Sequence, residues 1–488
     1  MKINVLVLDT SLDTFTYIRD ILDNNEFEIK NGTTAEEGFF ILNKFKADIV
    51  LVDVNLPDKQ NLNFPKRVRE NPNHFLNSMY IIGMSSKSGE QNEAKVKALN
   101  KGAHDFIKKP FSQDELLAKI DVGKRLCKKL KQAEIEFHEM FQNMDVLLIQ
   151  DGGCAPGYNP VTAYLTNYLE QSGRTVFCTK EGYKSVVSAS DNDYVRLIYN
   201  STEHKKNEHI RNVFNVSLLS DARGAQFRSE RFPEFSKLDI QKKAAEEIVR
   251  RKIKAIVAIG GNGTFMGIYN LAKLLPDHIN LFFIPVTIDS DVSGTETIGE
   301  HTGVEMGAEK IRCYMADART HKRVYIIEMM GAHGGFHALH SCIGARAHLA
   351  ALPGIEVDFA KVVHALNEKE SAVIVVAEGF QVEERKKQNI KGNAAKYFYQ
   401  KLTETNIPIR PKIVCESFSR DIRGAQPNNL DITLAQRMAL IVATSLSNNQ
   451  SKLMPSIQGG LEGVILFDEI TTENAVNPSL LKIANRLY

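Results

Sequence analysis

The feature that most constrains this chain is an alternation of short, almost wholly apolar runs with longer stretches of helical composition. In its N-terminal quarter the runs are Asn4–Leu8, Asp48–Asp53, Met79–Met84 and Asp105–Ile107, each followed by a polar turn and a candidate helix. Successive side chains of a strand point to opposite faces, so a run that is apolar at nearly every position is buried on both faces. That burial requires crossover helices on either side, which predicts a parallel α/β sheet with ligands outside the carboxyl ends of its strands. From Met144 the pattern starts again, with runs at Asp145–Ile149, Ala255–Ile259, Leu281–Pro285, Val324–Met329 and Val373–Ala377, most ending in Gly, Asp or Glu. The 488 residues therefore read as two α/β modules joined in one chain.

Between the modules, Ser112 to about Met140 carries almost no Pro or Gly, with apolar residues at Leu116, Ile120, Cys127, Leu130, Phe137 and Phe141 and basic ones at Lys124, Arg125, Lys128, Lys129 and Lys131. This stretch is either the last helix of the first module running into a solvated linker or a coupling helix that packs on a partner helix. The expected boundaries are 1–123, a linker helix 124–142, and 143–488. Apolar residues make up 43% and charged residues 25%, the balance of an ordinary globular protein, and the net charge of +2 gives no electrostatic reason to expect a nucleic-acid or membrane partner. The six cysteines (Cys127, Cys154, Cys178, Cys313, Cys342 and Cys415) form no CxxC pair, which fits free thiols in a reducing compartment. The opening MKINVLVLD reads as a buried strand rather than a leader, and no apolar run approaches membrane-spanning length; a cytoplasmic location is expected.

Polar residues stand at four strand ends of the first module. Asp9 closes VLVLD, Asp53 closes ADIVLVD, Ser85 follows IIGM, and Lys109 lies in DFIKKPF. Two carboxylates together suit Mg²⁺, a hard cation that takes oxygen ligands, while a lysine and a hydroxyl can hold the oxygens of a phosphoryl group placed on one of them. On these residues the module resembles the receiver domain of bacterial response regulators. The resemblance implies a flavodoxin-like fold, Asp53 as phosphoacceptor, Asp9 as metal-side acid, Ser85 and Phe106 as the switch pair, Lys109 as the phosphoryl-binding lysine, and a sensor histidine kinase or small phosphodonor as partner. The family's second acid beside Asp9 is Thr10 here, so a cation would be held by less charge. A receiver fold kept only for docking is the other reading.

The second module offers the parts that phosphoryl transfer needs: a phosphate cradle, a metal, a positioned nucleophile and a base. Gly152 and Gly153 follow one strand in GGCAPGYN, and Gly260-Gly261-Asn262-Gly263-Thr264 follow another. Glycines let backbone approach phosphate, although such pairs also make ordinary tight turns. In PVTIDSDVSG, Asp289 and Asp291 are two apart, a spacing that puts both on one side of extended chain. Together with SDARGAQFR (220–228), RVYIIEMMG (323–331), VAEG (376–379) and IRGAQP (422–427), these runs resemble ATP-dependent phosphofructokinase from about Met144 onward. The resemblance implies a two-lobed α/β body, ATP and Mg²⁺, and transfer of the γ-phosphate to the 1-hydroxyl of fructose 6-phosphate to give fructose 1,6-bisphosphate. It assigns Asp289 as base and Thr287 as its neighbouring substrate contact. Gly153, Tyr183, Arg223, Gly263 and Thr264 fall to the nucleotide, Arg323, Glu378 and Arg423 to the sugar phosphate, and Asp291 with Asn262 to the metal. Because the family's sugar site is completed by a neighbouring subunit, a homo-oligomer is expected.

Departures from the family pattern are concentrated at the same loops. Asn262 replaces the acid of GGDG, Cys154 that of GGDAPG, Ala332 the arginine of MGR, and Ile432 an arginine beside Asp431. A charge-assisted contact is worth roughly 1.5–3 kcal/mol, and ~1.4 kcal/mol is tenfold in rate. Losing several would slow turnover by orders of magnitude. Two readings follow: a divergent kinase gated through Asp53, or a catalytically inactive output module that binds nucleotide or sugar phosphate. Glu296, Glu300, His301 and His340 read as solvated helix or core residues, and His333 as a possible stand-in for the lost arginine.

Overall fold

A computed structural model describes residues 2–23, 25–42, 44–56, 64–69, 79–86, 91–200, 212–331, 334–390, 393–418, 420–471 and 476–488. Ala332 and His333 lie outside the described residues. The chain divides into two compact units, Met1–Phe137 and His138–Tyr488.

In the first unit, strands β1 (Ile3–Leu8), β2 (Phe27–Gly32), β3 (Ile49–Asp53), β4 (Tyr80–Ser85) and β5 (Asp105–Lys108) pair in the order β2-β1-β3-β4-β5. Each adjacent pair is parallel, with Val5 opposite Ile29 on one side and Ile49 on the other. This is the flavodoxin-like doubly wound order, and its direction reverses between β1 and β3, where a ligand crevice is expected. The alternation of strand side chains explains the all-apolar runs: Val5, Val7, Leu51, Ile82 and Met84 enter one core and Leu6, Leu8, Val50, Val52 and Ile81 the other. Strand β2, FEIKNG, was not evident from sequence because it is an edge strand that alternates buried and exposed positions.

The helix that closes this unit spans Gln113–Met140, beginning before the expected linker and ending inside the second unit. Leu116, Ile120 and Cys127 pack into the sheet's core. Gly123, an unfavourable residue within a helix, is required here because an added Cβ would lie 2.6 Å from the Tyr80 ring.

The second unit has two sheets among its described residues. The larger runs in the order β17 (Leu461–Leu466), β16 (Leu453–Gln458), β11 (Asn280–Pro285), β10 (Ala255–Gly260), β6 (Val146–Gln150), β7 (Val176–Thr179), β8 (Tyr194–Ile198), β9 (Val213–Asn215). The smaller runs β13 (Leu349–Ala351), β14 (Ala372–Ala377), β12 (Arg323–Met329), β15 (Lys412–Phe418), parallel throughout. Adjacent strands β11, β10 and β6 are parallel, so the loops that follow them open at one edge.

Near the start of this unit an arginine is wholly buried. Arg251 donates to Glu247, to the carbonyls of Phe141 and Ala189 (both 2.9 Å), pairs with Asp191 at 2.6 Å, and lies 4.3 Å from the centre of the Tyr194 ring. His138, at the end of the long helix, reaches the other oxygen of Asp191 at 2.6 Å. All six cysteines are free, and no helix among the described residues is long and apolar enough to cross a membrane.

Candidate functional site

In the first unit the four strand-end residues converge. Lys109 Nζ donates to Asp9 Oδ2 at 2.6 Å and to Asp53 Oδ2. The remaining oxygens accept backbone N–H groups, Asp9 Oδ1 from Ser11 and Asp53 Oδ1 from Asn55. Burial disfavours the Lys109 ammonium, but the hydrogen bonds and charges of Asp53 and Asp9 outweigh it and hold its pKa above the ordinary value. Ser85 is buried at the end of β4, Phe106 packs inward against Gly83, and Thr10 is exposed. Two carboxylates with one ammonium between them suit a divalent cation and a phosphoryl group, since a phosphoryl on Asp53 would inherit Lys109 as its counter-charge.

In the second unit the loops after β6, β10 and β11 enclose a cleft of about 610 Å³. Gly153, Tyr183, Asn262, Gly263, Thr264, Thr287, Asp289, Asp291 and Arg423 all line it. The β11 loop is fixed from both sides: Val286 N donates to Gly260 O and Thr287 N to Ile298 O, each at 2.9 Å. Thr287 Oγ1 then accepts the Asp289 N–H at 3.0 Å, which aims the acid. The left-handed turn at Ser290 is held by its hydroxyl, which donates to Glu300 at 2.7 Å. Glu300 is therefore a brace for this loop rather than a solvated residue.

Asp289 Oδ1 is buried without a hydrogen-bond partner. Burial pushes this carboxyl above its ordinary pKa; Arg423, His337 and Arg231 pull it down, and Glu378 pushes it further up. Helix Asn262–Ala272 begins with Gly261 as N-cap and no side-chain cap, leaving first-turn N–H groups facing the cleft as an anion cradle. At Gly263 an added Cβ would meet nothing within 4 Å, so that wall is open. Tyr183 is a structural wall: its ring stacks on Phe235 at 4.2 Å and its hydroxyl donates to Thr264 O.

Three assigned residues stand outside the cleft lining. Arg223 turns away and donates to Gln426 at 3.2 Å. A second arginine lines the cleft besides Arg423: Arg231, which sequence reasoning missed, sits beside Arg423 against Gly153 and acts on Asp289. Its only sequence signal is the run ERFPEF, whose Phe232 and Phe235 line the same cleft. Glu378, at the end of β14, is exposed but close enough to act on Asp289. Arg323 begins β12, whereas the cleft side is reached at its far end, where Glu378 N donates to Met329 O. Six strand steps put that arginine about 20 Å away along the strand. The second missed residue is Asp151, buried in the cleft floor, with its carboxyl pushed up to about 6 by burial despite the Tyr183 N–H and the Thr264 hydroxyl.

The sequence profile described as Phosphofructokinase matches residues 145–446, and that described as Response regulator receiver domain matches residues 5–121. This chain belongs to the phosphofructokinase family. A response-regulator receiver domain is fused ahead of the phosphofructokinase unit. Similar sequences include the ATP-dependent 6-phosphofructokinase of Thermotoga neapolitana, 26% identical over 349 residues, 70% of this chain and 99% of the relative. That of Clostridium acetobutylicum is 29% identical over 352 residues, 70% of this chain and 98% of the relative. Among solved structures, phosphofructokinase from Saccharomyces cerevisiae aligns with a TM-score of 0.55 at 20% identity, over 67% of this chain and only 45% of the yeast chain. A pyrophosphate-dependent phosphofructokinase from Nitrosospira multiformis gives a TM-score of 0.54 at 16% identity, over 71% and 91%. These structures establish the two-lobed phosphofructokinase fold.

The phosphofructokinase cleft fits Mg²⁺ in a limited way. Asp291 offers a carboxylate and Asn262 an amide oxygen to the lining of the cleft. No cluster of three or more metal-binding side chains occurs among the described residues. Mg²⁺ keeps several waters and binds through one or two carboxylates plus substrate phosphates, so this sparse donor set suits a cation that arrives with the nucleotide.

Proposed function

We propose that the second unit transfers the terminal phosphoryl group of ATP to the 1-hydroxyl of fructose 6-phosphate, giving fructose 1,6-bisphosphate and ADP, and that a phosphoryl group received at Asp53 regulates it. Asp289 carries this reading. An acid that is aimed by Thr287 and holds one buried oxygen unpartnered in a glycine-lined cleft has no stabilising role to explain it. A general base must lie within reach of the proton it takes. Asp289 would accept the hydroxyl proton as the oxygen attacks phosphorus, with Arg231 and Arg423 stabilising charge on the transferring group and the first turn of helix Asn262–Ala272 holding the donor phosphates. Mg²⁺, when bound through Asp291 and Asn262, would neutralise charge between donor phosphates.

The relatives' name, ATP-dependent 6-phosphofructokinase, supports both substrates. Arg323 fits the sugar phosphate only from a second copy of the chain, so the working form is an oligomer, which light scattering measures. The test of activity is ADP release with fructose 6-phosphate, ATP and Mg²⁺ against an Asp289→Ala control. Turnover no higher than that control overturns the kinase reading. Asn262 favours a second reading, nucleotide binding without turnover, which the same assay separates when calorimetry shows binding but no ADP appears.

A further inference from the structure

Asp151 has no part in the transfer step, yet it lies in the floor of the cleft at only 7% exposure. Its carboxylate is seated by design of the backbone around it. Gly182 adopts a positive φ of 55°, and a Cβ there would lie 2.3 Å from Asp151 Oδ1, so a glycine makes the room. The acid is nonetheless poorly served. Among the described residues Oδ1 accepts only the Tyr183 N–H at 3.4 Å and Oδ2 only the Thr264 hydroxyl at 3.5 Å, both at the limit of hydrogen bonding. That hydroxyl is already committed to the Asp151 carbonyl at 2.9 Å, as is Tyr158 at 2.7 Å.

The surrounding groups do not neutralise it. Tyr158 and Tyr183, on the helices packed to either side, are pushed well above their ordinary pKa by burial and stay neutral. Thr264, on the helix after β10, is uncharged. Arg231 and Arg423 lie across Gly153, on the side of Asp289, and neither contributes to the ionisation of Asp151, whose pKa reflects burial opposed by two weak hydrogen bonds. A lone buried carboxylate in a cleft shaped for polyphosphate is repelled by its own ligand when ionised, and becomes a hydrogen-bond donor when protonated.

We propose that Asp151 couples nucleotide binding to proton uptake, so that the chain holds a nucleoside polyphosphate with the Asp151 carboxyl protonated and releases it more readily as pH rises. This rests on the reading of the cleft as a nucleotide site. Linkage sets the scale: if the bound phosphates raise the carboxyl by one further unit, affinity falls about sevenfold between pH 5.5 and 8, with about half a proton taken up near pH 6.5.

The test is calorimetric titration of the full chain with a non-hydrolysable β,γ-imido ATP analogue and Mg²⁺ across that pH range, in two buffers of different ionisation enthalpy, for wild type and Asp151→Asn. The ratio of wild-type to variant affinity is expected to fall several-fold with rising pH, and the variant to take up about half a proton less. A purely structural role for Asp151 would change affinity by the same factor at every pH, and a constant ratio with equal proton uptake overturns the proposal. If Asp151→Asn lowers the melting temperature, Asp151→Ser is measured in its place. Absence of binding by wild type at any pH instead removes the nucleotide reading itself.

Discussion

Replacing Arg251 by methionine tests whether the second unit is organised around its buried charge as described. The guanidinium is 0% exposed and satisfies Glu247, Asp191 and the carbonyls of Phe141 and Ala189. Methionine fills much of the volume but takes the buried donor from the carbonyls of Phe141 and Ala189 and leaves Asp191 and Glu247 to their more exposed partners, His138 and Arg250. Breaking a buried ion pair from one side costs about 3–5 kcal/mol. For a unit of about 350 residues, with ~2.1 cal/mol/K of unfolding entropy per residue, that corresponds to a fall in melting temperature of about 4–7 °C for the transition of this unit. The sign of its pH dependence is fixed as well. Burial opposes ionisation of Asp191 and Glu247, but Arg251 and the partners beside it, His138 and Arg250, hold both below their ordinary pKa. Their contribution is present above the unfolded carboxyl values, near 4, and is lost as pH falls through the folded ones. Arg251→Met should therefore cost most at neutral pH and progressively less in acid. Arg251→Lys should fall between, because an ammonium cannot present the planar fork that reaches four acceptors. Pairing Arg251→Met with Glu247→Met should recover part of the loss, since one carboxylate that lost its buried partner is removed with it. Scanning calorimetry at several pH values reads all of this. A variant melting at or above wild type at neutral pH would refute the reasoning.

Three further outcomes are expected. Asn262→Asp restores an acid beside the helix cradle and should raise kcat by about tenfold to a hundredfold at saturating Mg²⁺, the rate equivalent of one charge-assisted contact, read in the ADP-release assay. Acetyl phosphate should label the chain at Asp53 in the presence of Mg²⁺; Asp53→Asn should abolish the label, and Lys109→Ala, which removes the cation bridging Asp9 and Asp53, should alter how the label changes activity. Asp151→Asn should be increasingly more stable than wild type as pH rises from 4 to 6. An acid whose folded pKa is raised, here from 3.8 to about 6, loses stability over that window as the unfolded chain ionises first, by ~3 kcal/mol in all.

What the sequence revealed and what it concealed divide along a physical line. The central strands β1, β3, β6, β10 and β14 are buried on both faces, so their composition is unmistakable, and the glycines and acids at their ends follow in register. Strands β2 and β17 alternate or expose their side chains, and β9 and β13 have three residues each, too few for a period. Asp289 was legible because its loop directly continues a core strand. Arg231 was not, because nothing in the local pattern says that a loop well beyond the three-residue strand β9 folds back over Gly153. The roles of Asp151 and Gly182 depend on a contact between residues 31 apart in the chain, which only the fold creates.

The departures at the cleft do not all act in the direction of decay. Cys154 occupies an acid's position in the loop after β6, and it exchanges hydrogen bonds with Arg423, its thiol donating to the Arg423 carbonyl and Arg423 Nη1 donating to its carbonyl at 3.1 Å. Burial, only partly opposed by Arg423, holds that thiol above its ordinary pKa, so it stays uncharged. An aspartate at the same place would offer the guanidinium a competing carboxylate. With cysteine there, the charge of Arg423 remains available to an incoming phosphate, while the main-chain bond still fixes its position beside Asp289. Asn262 removes a second acid from the same rim, and Asp151 places one in the floor, where it is protonated more readily than a rim acid would be. The rim is thus less negative than the family pattern and the two arginines less engaged, a balance that favours holding anions over holding the metal. A cleft that had merely lost its function would have no reason to keep Asp289 aimed by Thr287, with both neighbouring backbone anchors intact. The balance predicts an enzyme whose affinity for phosphorylated ligands is retained and whose demand for Mg²⁺ is raised, so that turnover measured against Mg²⁺ concentration, rather than against sugar, should show the larger shift on restoring Asn262→Asp.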